Sequence, residues 1–162
     1  MAELRAEVLR PDLERLGRWD ATRVRERFLT AFDAARTWVV HVDGEDAGLV
    51  AVRHEADAHW IEHFYLQPRH QGRGLGAAIL AHLMNAHRDL RPFRLNVLQG
   101  SPARRLYERH GFTLEHEDAV DVFLIAPAVA GGTSPGVRPR GGLRVSAAAP
   151  GSTGGRAGGI RR

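Results

Sequence analysis

The chain of 162 residues has no cysteine and no lysine, and all 23 of its basic residues are arginine. Without cysteine there is no disulfide framework, no thiolate metal site and no cysteine nucleophile, and the composition suits a reducing cytoplasm. Arginine in place of lysine, beside rich alanine and glycine, reads as codon bias in a GC-rich genome rather than a physical choice. No apolar run approaches the roughly 18–20 residues needed to cross a bilayer. The segment Met1–Arg10 is too charged for the core of a signal peptide. No internal repeat is visible. Acidic residues are missing from one region only. Residues 131–162 hold six arginines and no acid, a net +6, whereas residues 1–130 hold 17 arginines and 19 acids, a net −2. The overall charge of +4 therefore belongs to the tail, which removes most of the compositional case for nucleic-acid binding by the folded part. A hydrophobic content of 43% suits one domain with a real core.

The apolar pattern predicts the elements in order. Ala2–Leu9 reads as helix, broken at Pro11 before a short helical stretch Asp12–Leu16. Asp20 is placed to cap a helix to about Phe32 whose core face carries Val24, Phe28, Leu29 and Phe32. Thr37–Val42 and Gly48–Arg53 flank Asp43-Gly44, a hairpin signal, and Trp60–Leu66 is the next strand, stopped by Pro68. A helix with Ala77, Leu80, Ala81 and Met84 on one face ends at Arg91-Pro92, and Phe93–Leu98 is a further strand. Strand, loop, helix and strand form a crossover of about the minimum length, so Trp60–Leu66 and Phe93–Leu98 are expected to be parallel in an otherwise antiparallel, mixed sheet of an α/β fold. Ser101-Pro102 is expected to cap a short helix closed by Gly111, and Phe112–Glu115 with Val120–Ile125 makes a final hairpin. The domain expected on this reading is 1–127. Residues 128–162, without periodicity and rich in Gly, Pro, Ser, Ala and Arg, are expected to be a disordered, solvated tail.

Between strand and helix lies Gln71-Gly72-Arg73-Gly74-Leu75-Gly76. Glycines let backbone N–H groups approach a ligand, and the first turn of a helix offers unpaired donors at the positive end of its dipole, so the loop is a candidate phosphate cradle as well as a plain turn. A Rossmann loop would need an acid at the end of the following strand, and Phe93–Leu98 has none. The loop resembles the (Gln/Arg)-x-x-Gly-x-(Gly/Ala) signature of the GNAT superfamily of N-acetyltransferases, with Gln71, Gly74 and Gly76 at the signature positions. Ala103-Arg104-Arg105-Leu106-Tyr107-Glu108-Arg109-His110-Gly111-Phe112 resembles the same family's Ala-x-x-x-Tyr-Glu-x-x-Gly-Phe segment. The resemblance covers roughly residues 20–126.

The resemblance implies acetyl-coenzyme A as cosubstrate and an amine as acceptor. Backbone groups of Gln71, Gly72, Arg73, Gly74, Leu75 and Gly76 would hold the pyrophosphate, and those of Tyr65 and Leu66 would pair with the pantetheine arm where the two parallel strands splay after a bulge. Arg73 would add charge or simply face solvent. Tyr107 matches the tyrosine that protonates the leaving sulfur, and its bland role is to pack helix on sheet. Glu62 stands where some members carry a base for the amine; strand alternation puts it with Trp60 and Phe64, opposite His63 and Tyr65, and the alternative role is partner to an arginine. His63 competes as base. Metal-ligand spacing is absent from His41, His54, His59, His82 and His87.

Two features depart from the family pattern. Ser101 stands where asparagine usually contacts the coenzyme arm, and no strand precedes the first helix, which would leave Thr37–Val42 as an edge open to pairing in a homodimer. A coenzyme A-binding module of the same fold without catalysis is the alternative function. The acids Glu115, Glu117, Asp118 and Asp121 hint at a cationic acceptor, or serve solubility.

Overall fold

The computed structural model describes residues 1–128 and 143–148. Helix α1 runs unbroken over Ala2–Arg15, with Pro11 inside it. Proline removes one backbone hydrogen bond and costs a helix interior about 3 kcal/mol. Packing of α1 on its neighbours offsets that cost: Ala6 is buried, and both nitrogens of an Arg25 fork bind the Glu3 carboxylate at 2.5 and 2.7 Å. Helix α2, Ala21–Ala31, is capped by Asp20, whose Oδ1 accepts from Arg23 N at 2.9 Å. Its inward face is narrower than the sequence pattern suggests. Val24 and Phe28 are buried, while Leu29 is 65% exposed.

Strands β1 (Thr37–Val42) and β2 (Glu45–His54) are joined through Asp43 and Gly44, both at positive φ as a tight hairpin turn demands. Next come β3 (His59–Leu66), α3 (Leu75–Ala86), β4 (Phe93–Leu98), α4 (Arg104–Glu108), β5 (Thr113–Glu117) and β6 (Asp121–Ala126). A further strand, β7 (Arg144–Ala147), completes a seven-stranded sheet of order β5-β6-β4-β3-β2-β1-β7. Only β3 and β4 are parallel, so the sheet is mixed as the crossover predicts. One face packs Val50, Val52, Ile61, Phe93, Leu95 and Leu124 against Ile79, Leu80 and Leu83 of α3. Helices α1 and α2 pack on each other and on the opposite face, where Phe28 meets the ring of His63 edge-on at 5.2 Å.

Strand β7 corrects the reading of the tail in one place. Trp38–His41 pair antiparallel with Arg144–Ala147, Ala148 N donates to Thr37 O at 2.8 Å, and Ala148 is buried. Four residues with Val145 at their centre suffice because β1 supplies the template. The edge expected to be open for a homodimer is thus covered by the chain itself. The remainder of the tail, 129–142 and 149–162, lies outside the described residues.

Candidate functional site

Strands β3 and β4 touch at one end only. His59 pairs with Phe93 and Trp60 with Arg94, and the ladder then stops. The cause is a bulge in β3: Ala51 of β2 faces Glu62 and Leu49 faces Tyr65, so two residues of β3, His63 and Phe64, oppose the single Val50 of β2. His63 sits in the bulge at φ +52. The strands diverge beyond it into a V whose mouth lies at Leu66 and Leu98. The bulge also shifts the alternation, so Glu62 and Tyr65 share one face of the sheet. This corrects the expectation that they lie on opposite faces. Gly48, opposite Leu66, makes the bulge fit: a Cβ there would stand 2.3 Å from the Tyr65 carbonyl oxygen.

The glycine loop closes the mouth. Gln71 donates its side-chain amide to Leu66 O at 2.8 Å, tying the loop to the end of β3, so this signature side chain positions the loop. Gly72 and Gly74 lie at φ +71 and +77, and Gly74 occupies the cap position of α3 without any side chain to use. The helix opens at Leu75, two residues before the predicted Ala77. The first-turn N–H groups of Leu75, Gly76 and Ala77 therefore have no intrahelical acceptor and face the loop's open side with the positive end of the helix dipole. Gly76 serves packing instead, since a Cβ there would meet Leu106 of α4 at 3.2 Å. Arg73 is exposed. These features fit a diphosphate: donors without partners, no competing side chain, and a cation beside them.

Tyr107 is buried on α4 against Phe112, ring centroids 5.8 Å apart, and Gly111 at φ +85 lets Phe112 N return to Tyr107 O at 3.2 Å. Burial, with the nearby phenol of Tyr65 acting in the same sense, pushes the Tyr107 hydroxyl well above the ordinary value of about 10, so it stays protonated. Tyr65 is half-buried, and burial raises its pKa too. Ser101 is not a helix cap. The helix begins later, at Arg104, behind Ala103, and Ser101 closes the turn after β4 through Ser101 N to Leu98 O at 3.0 Å. It lies between the end of β4 and the start of α4. Leu66 is buried in the core.

Glu62 accepts from Arg53 Nε at 3.0 Å, and both line a small cavity of about 40 Å³ with His63, Thr37 and Arg36. The arginine partner was legible by counting hairpin register, which sets Arg53 opposite Trp60. His63 has its Nδ1 3.4 Å from Arg5 Nη1, an arrangement that makes Nδ1 the acceptor and leaves the proton on Nε2. Burial, then the charge of Arg5, push its pKa down. A neutral His63 with Nε2 protonated is a donor on that side, which weakens its claim as base. Arg5 itself has no sequence signal beyond its place on an amphipathic helix.

The acids of the closing hairpin are occupied locally: Glu115 by Arg94, Asp121 by Asn96, Glu117 by Gln99, and Asp118 by the amides of Val120 and Asp121. They offer little to a cationic acceptor. His59, buried at the closed end of the V, bonds His54 Nδ1 at 2.7 Å and Asp89 at 2.9 Å. Among the described residues no group of His, Asp and Glu could hold a metal ion, and no helix of the described residues is long and apolar enough to cross a membrane.

Residues 33–114 match a protein family described as acetyltransferase (GNAT) domain. Among solved structures the fold is similar to the PaiA N-acetyltransferase from Thermoplasma acidophilum in complex with coenzyme A, 17% identical, with 78% of this chain and 89% of that chain covered and a TM-score of 0.58. It is similar also to the ribosomal-protein-S18-alanine N-acetyltransferase from Escherichia coli, 20% identical, 70% and 80% covered, TM-score 0.52. A GNAT family acetyltransferase from Elizabethkingia anophelis with acetyl-CoA bound is 12% identical, 65% and 82% covered, TM-score 0.52. Comparison with curated protein sequences finds no match.

Proposed function

Because the chain belongs to the GNAT acetyltransferase family, we propose that it transfers an acetyl group from acetyl-coenzyme A to the amine of an acceptor by direct attack. The observation that carries this reading is the V between β3 and β4, opening onto the uncapped first turn of α3. Residues Gln71 to Gly76 would hold the diphosphate, Gln71 by fixing the loop and Gly72 to Gly76 by backbone donation, with Arg73 adding charge. The backbones of Tyr65 and Leu66, with Ser101 across the mouth, would line the pantetheine arm.

Acetyl-coenzyme A, when bound, supplies an acyl group activated as a thioester. The chain's own groups then have two tasks. One is to take a proton from the attacking amine, which we assign to Glu62 through water, the small cavity beside it having room for one or two. The other is to stabilise the sulfur as the carbon–sulfur bond breaks, which we assign to Tyr107. A phenol whose pKa lies well above the roughly 8.5 of a thiol gives up its proton uphill, so its principal contribution is a hydrogen bond to the departing sulfur. No covalent acyl-enzyme is needed, and the chain has no cysteine to form one.

Calorimetry with acetyl-coenzyme A, followed by thiol release with an amine panel, tests the reading; no binding at millimolar coenzyme would sink it. The pairing of Glu62 with Arg53 favours a second reading, a coenzyme-binding module without catalysis. Tight binding with no turnover on any amine would support that module, and robust turnover would eliminate it.

A further inference from the structure

Arg5 is half-buried on helix α1, whereas Arg18, Arg23, Arg27 and Arg73, which also form no ion pair with any described residue, are exposed. Nine arginines among the described residues form an ion pair with a carboxylate. Arg5 forms none with any described residue. Helix α1 lays it across the bulge of β3, half-buried, with Nη1 3.4 Å from His63 Nδ1 and its guanidinium carbon 6.0 Å from the centre of the Tyr65 ring. Its Nε is withdrawn from solvent and has no hydrogen-bond partner. The nearest acid on this face of β3, Glu62, is already held by Arg53. A guanidinium taken partly out of water without a counter-ion is costly, and an unused donor in its plane adds to the cost. The cation–π contact with Tyr65 recovers only a part of that cost.

These features are those of a half-made ion pair. A guanidinium binds a carboxylate with two parallel N–H groups, and Arg5 has donors to offer beside the bulge of β3, on the same sheet face as Glu62 and Tyr65. The same positive charge repels an incoming cation. We propose that Arg5 receives a carboxylate of the acyl acceptor, so that the acceptor is a small amine bearing a carboxylate, of the amino-acid class, and not a polyamine or a bare alkylamine. This rests on the acyl-transfer reading above, and it assigns Arg5 as a specificity residue. It also turns round the expectation from the closing hairpin, whose acids are engaged elsewhere.

The test compares matched acceptors that differ only in the carboxylate: α-, β- and γ-amino acids against alkylamines of equal length, and spermidine. Full-length protein and Arg5→Gln and Arg5→Lys variants are assayed by thiol release at saturating acetyl-coenzyme A, with coenzyme binding followed by calorimetry and folding by thermal melting. The expected result is a preference of the natural chain for one carboxylate-bearing member. Arg5→Gln should then raise KM for that member about 10- to 100-fold with kcat nearly unchanged, and leave KM for its alkylamine partner unmoved. Arg5→Lys should restore part of the loss. Equal changes for both members of a pair, better use of alkylamines or spermidine, or no turnover of any carboxylate-bearing amine while coenzyme still binds would each overturn the assignment and leave coenzyme binding standing. Failure to bind the coenzyme would take down both readings.

Discussion

Gly48→Ala is the substitution for which the structure gives the largest effect from the smallest change. Gly48 has no positive φ, so its own backbone conformation accepts alanine. Space is what forbids it. An added Cβ would stand 2.3 Å from the Tyr65 carbonyl oxygen, 2.7 Å from Leu66 Cδ2 and 3.2 Å from Leu66 Cα. The leucine methyl can turn away, but the carbonyl belongs to the bulge and must move with the strand by about 0.7 Å to reach a tolerable 3.0 Å. Overpacking of this kind costs about 1–3 kcal/mol, and with backbone on the far side we expect the upper half of that range. In a domain of this size about 2 kcal/mol lowers the melting temperature by roughly 5–12 °C. Because the displaced backbone lines the mouth of the V, acetyl-coenzyme A should also bind about 10-fold more weakly at a temperature where the variant is fully folded. Thermal melting and calorimetry on the same preparation measure both. A variant within about 0.5 kcal/mol of the natural chain, binding coenzyme equally well, would refute the claim that Gly48 is there for the bulge.

The remaining predictions concern the loop, the phenol, the histidines and the tail. Gln71→Ala should leave stability within about 1 kcal/mol and raise the dissociation constant for coenzyme about 5-fold, by releasing the loop from Leu66; calorimetry reads both the loss and its absence. Tyr107→Phe should lower kcat by about 10²-fold with coenzyme affinity unchanged, and the natural enzyme should show no descending limb in kcat below about pH 10, because burial raises this phenol; a limb near pH 9 that vanishes in the variant would contradict this. His54, His63 and His87 are each pushed below the ordinary value, chiefly by burial. The folded state then binds fewer protons than the unfolded one, so their stabilisation is present above about pH 6.5 and lost as pH falls through the lowered values. Melting temperature should fall from pH 7 to 5, with a shallower slope in His87→Gln; a flat profile would be the contrary result. Ala148→Arg should cost about 1–3 kcal/mol by prising β7 from β1, and no change on melting would mean that the strand contributes nothing.

Much of the fold is legible in local signals. The Asp43-Gly44 hairpin, the Asp20 cap, the strand Phe93–Leu98 and the glycine loop each depend on neighbours within a few residues, and each lies where the pattern puts it. What was hidden depends on distant partners. Pro11 breaks an isolated helix but not one held by Arg25 and the sheet. A bulge adds one residue without any mark in its sequence, so simple alternation puts Tyr65 on the wrong face. Strand β7 is four residues in an unpatterned stretch, and only the edge of β1 makes it a strand. That Arg5 is half-buried without a carboxylate follows only from the packing of α1 on β3.

The closed end of the V has a mechanical meaning. Two residue pairs join β3 to β4, and His59 lies at that joint, bonded to His54 and Asp89 with its amide on Pro92 O. From Trp60 to Leu66 the stretch of β3 that is paired to β2 but not to β4 is about 20 Å long at some 3.3 Å per residue. A pivot of about 5° at such a fulcrum carries the tip through roughly 1.7 Å over that length, about the difference between a strand-to-strand hydrogen bond made and one lost. Substitutions around His59, at the far end of the strands from Leu66 and Leu98, therefore act with leverage on how wide the V between β3 and β4 stands.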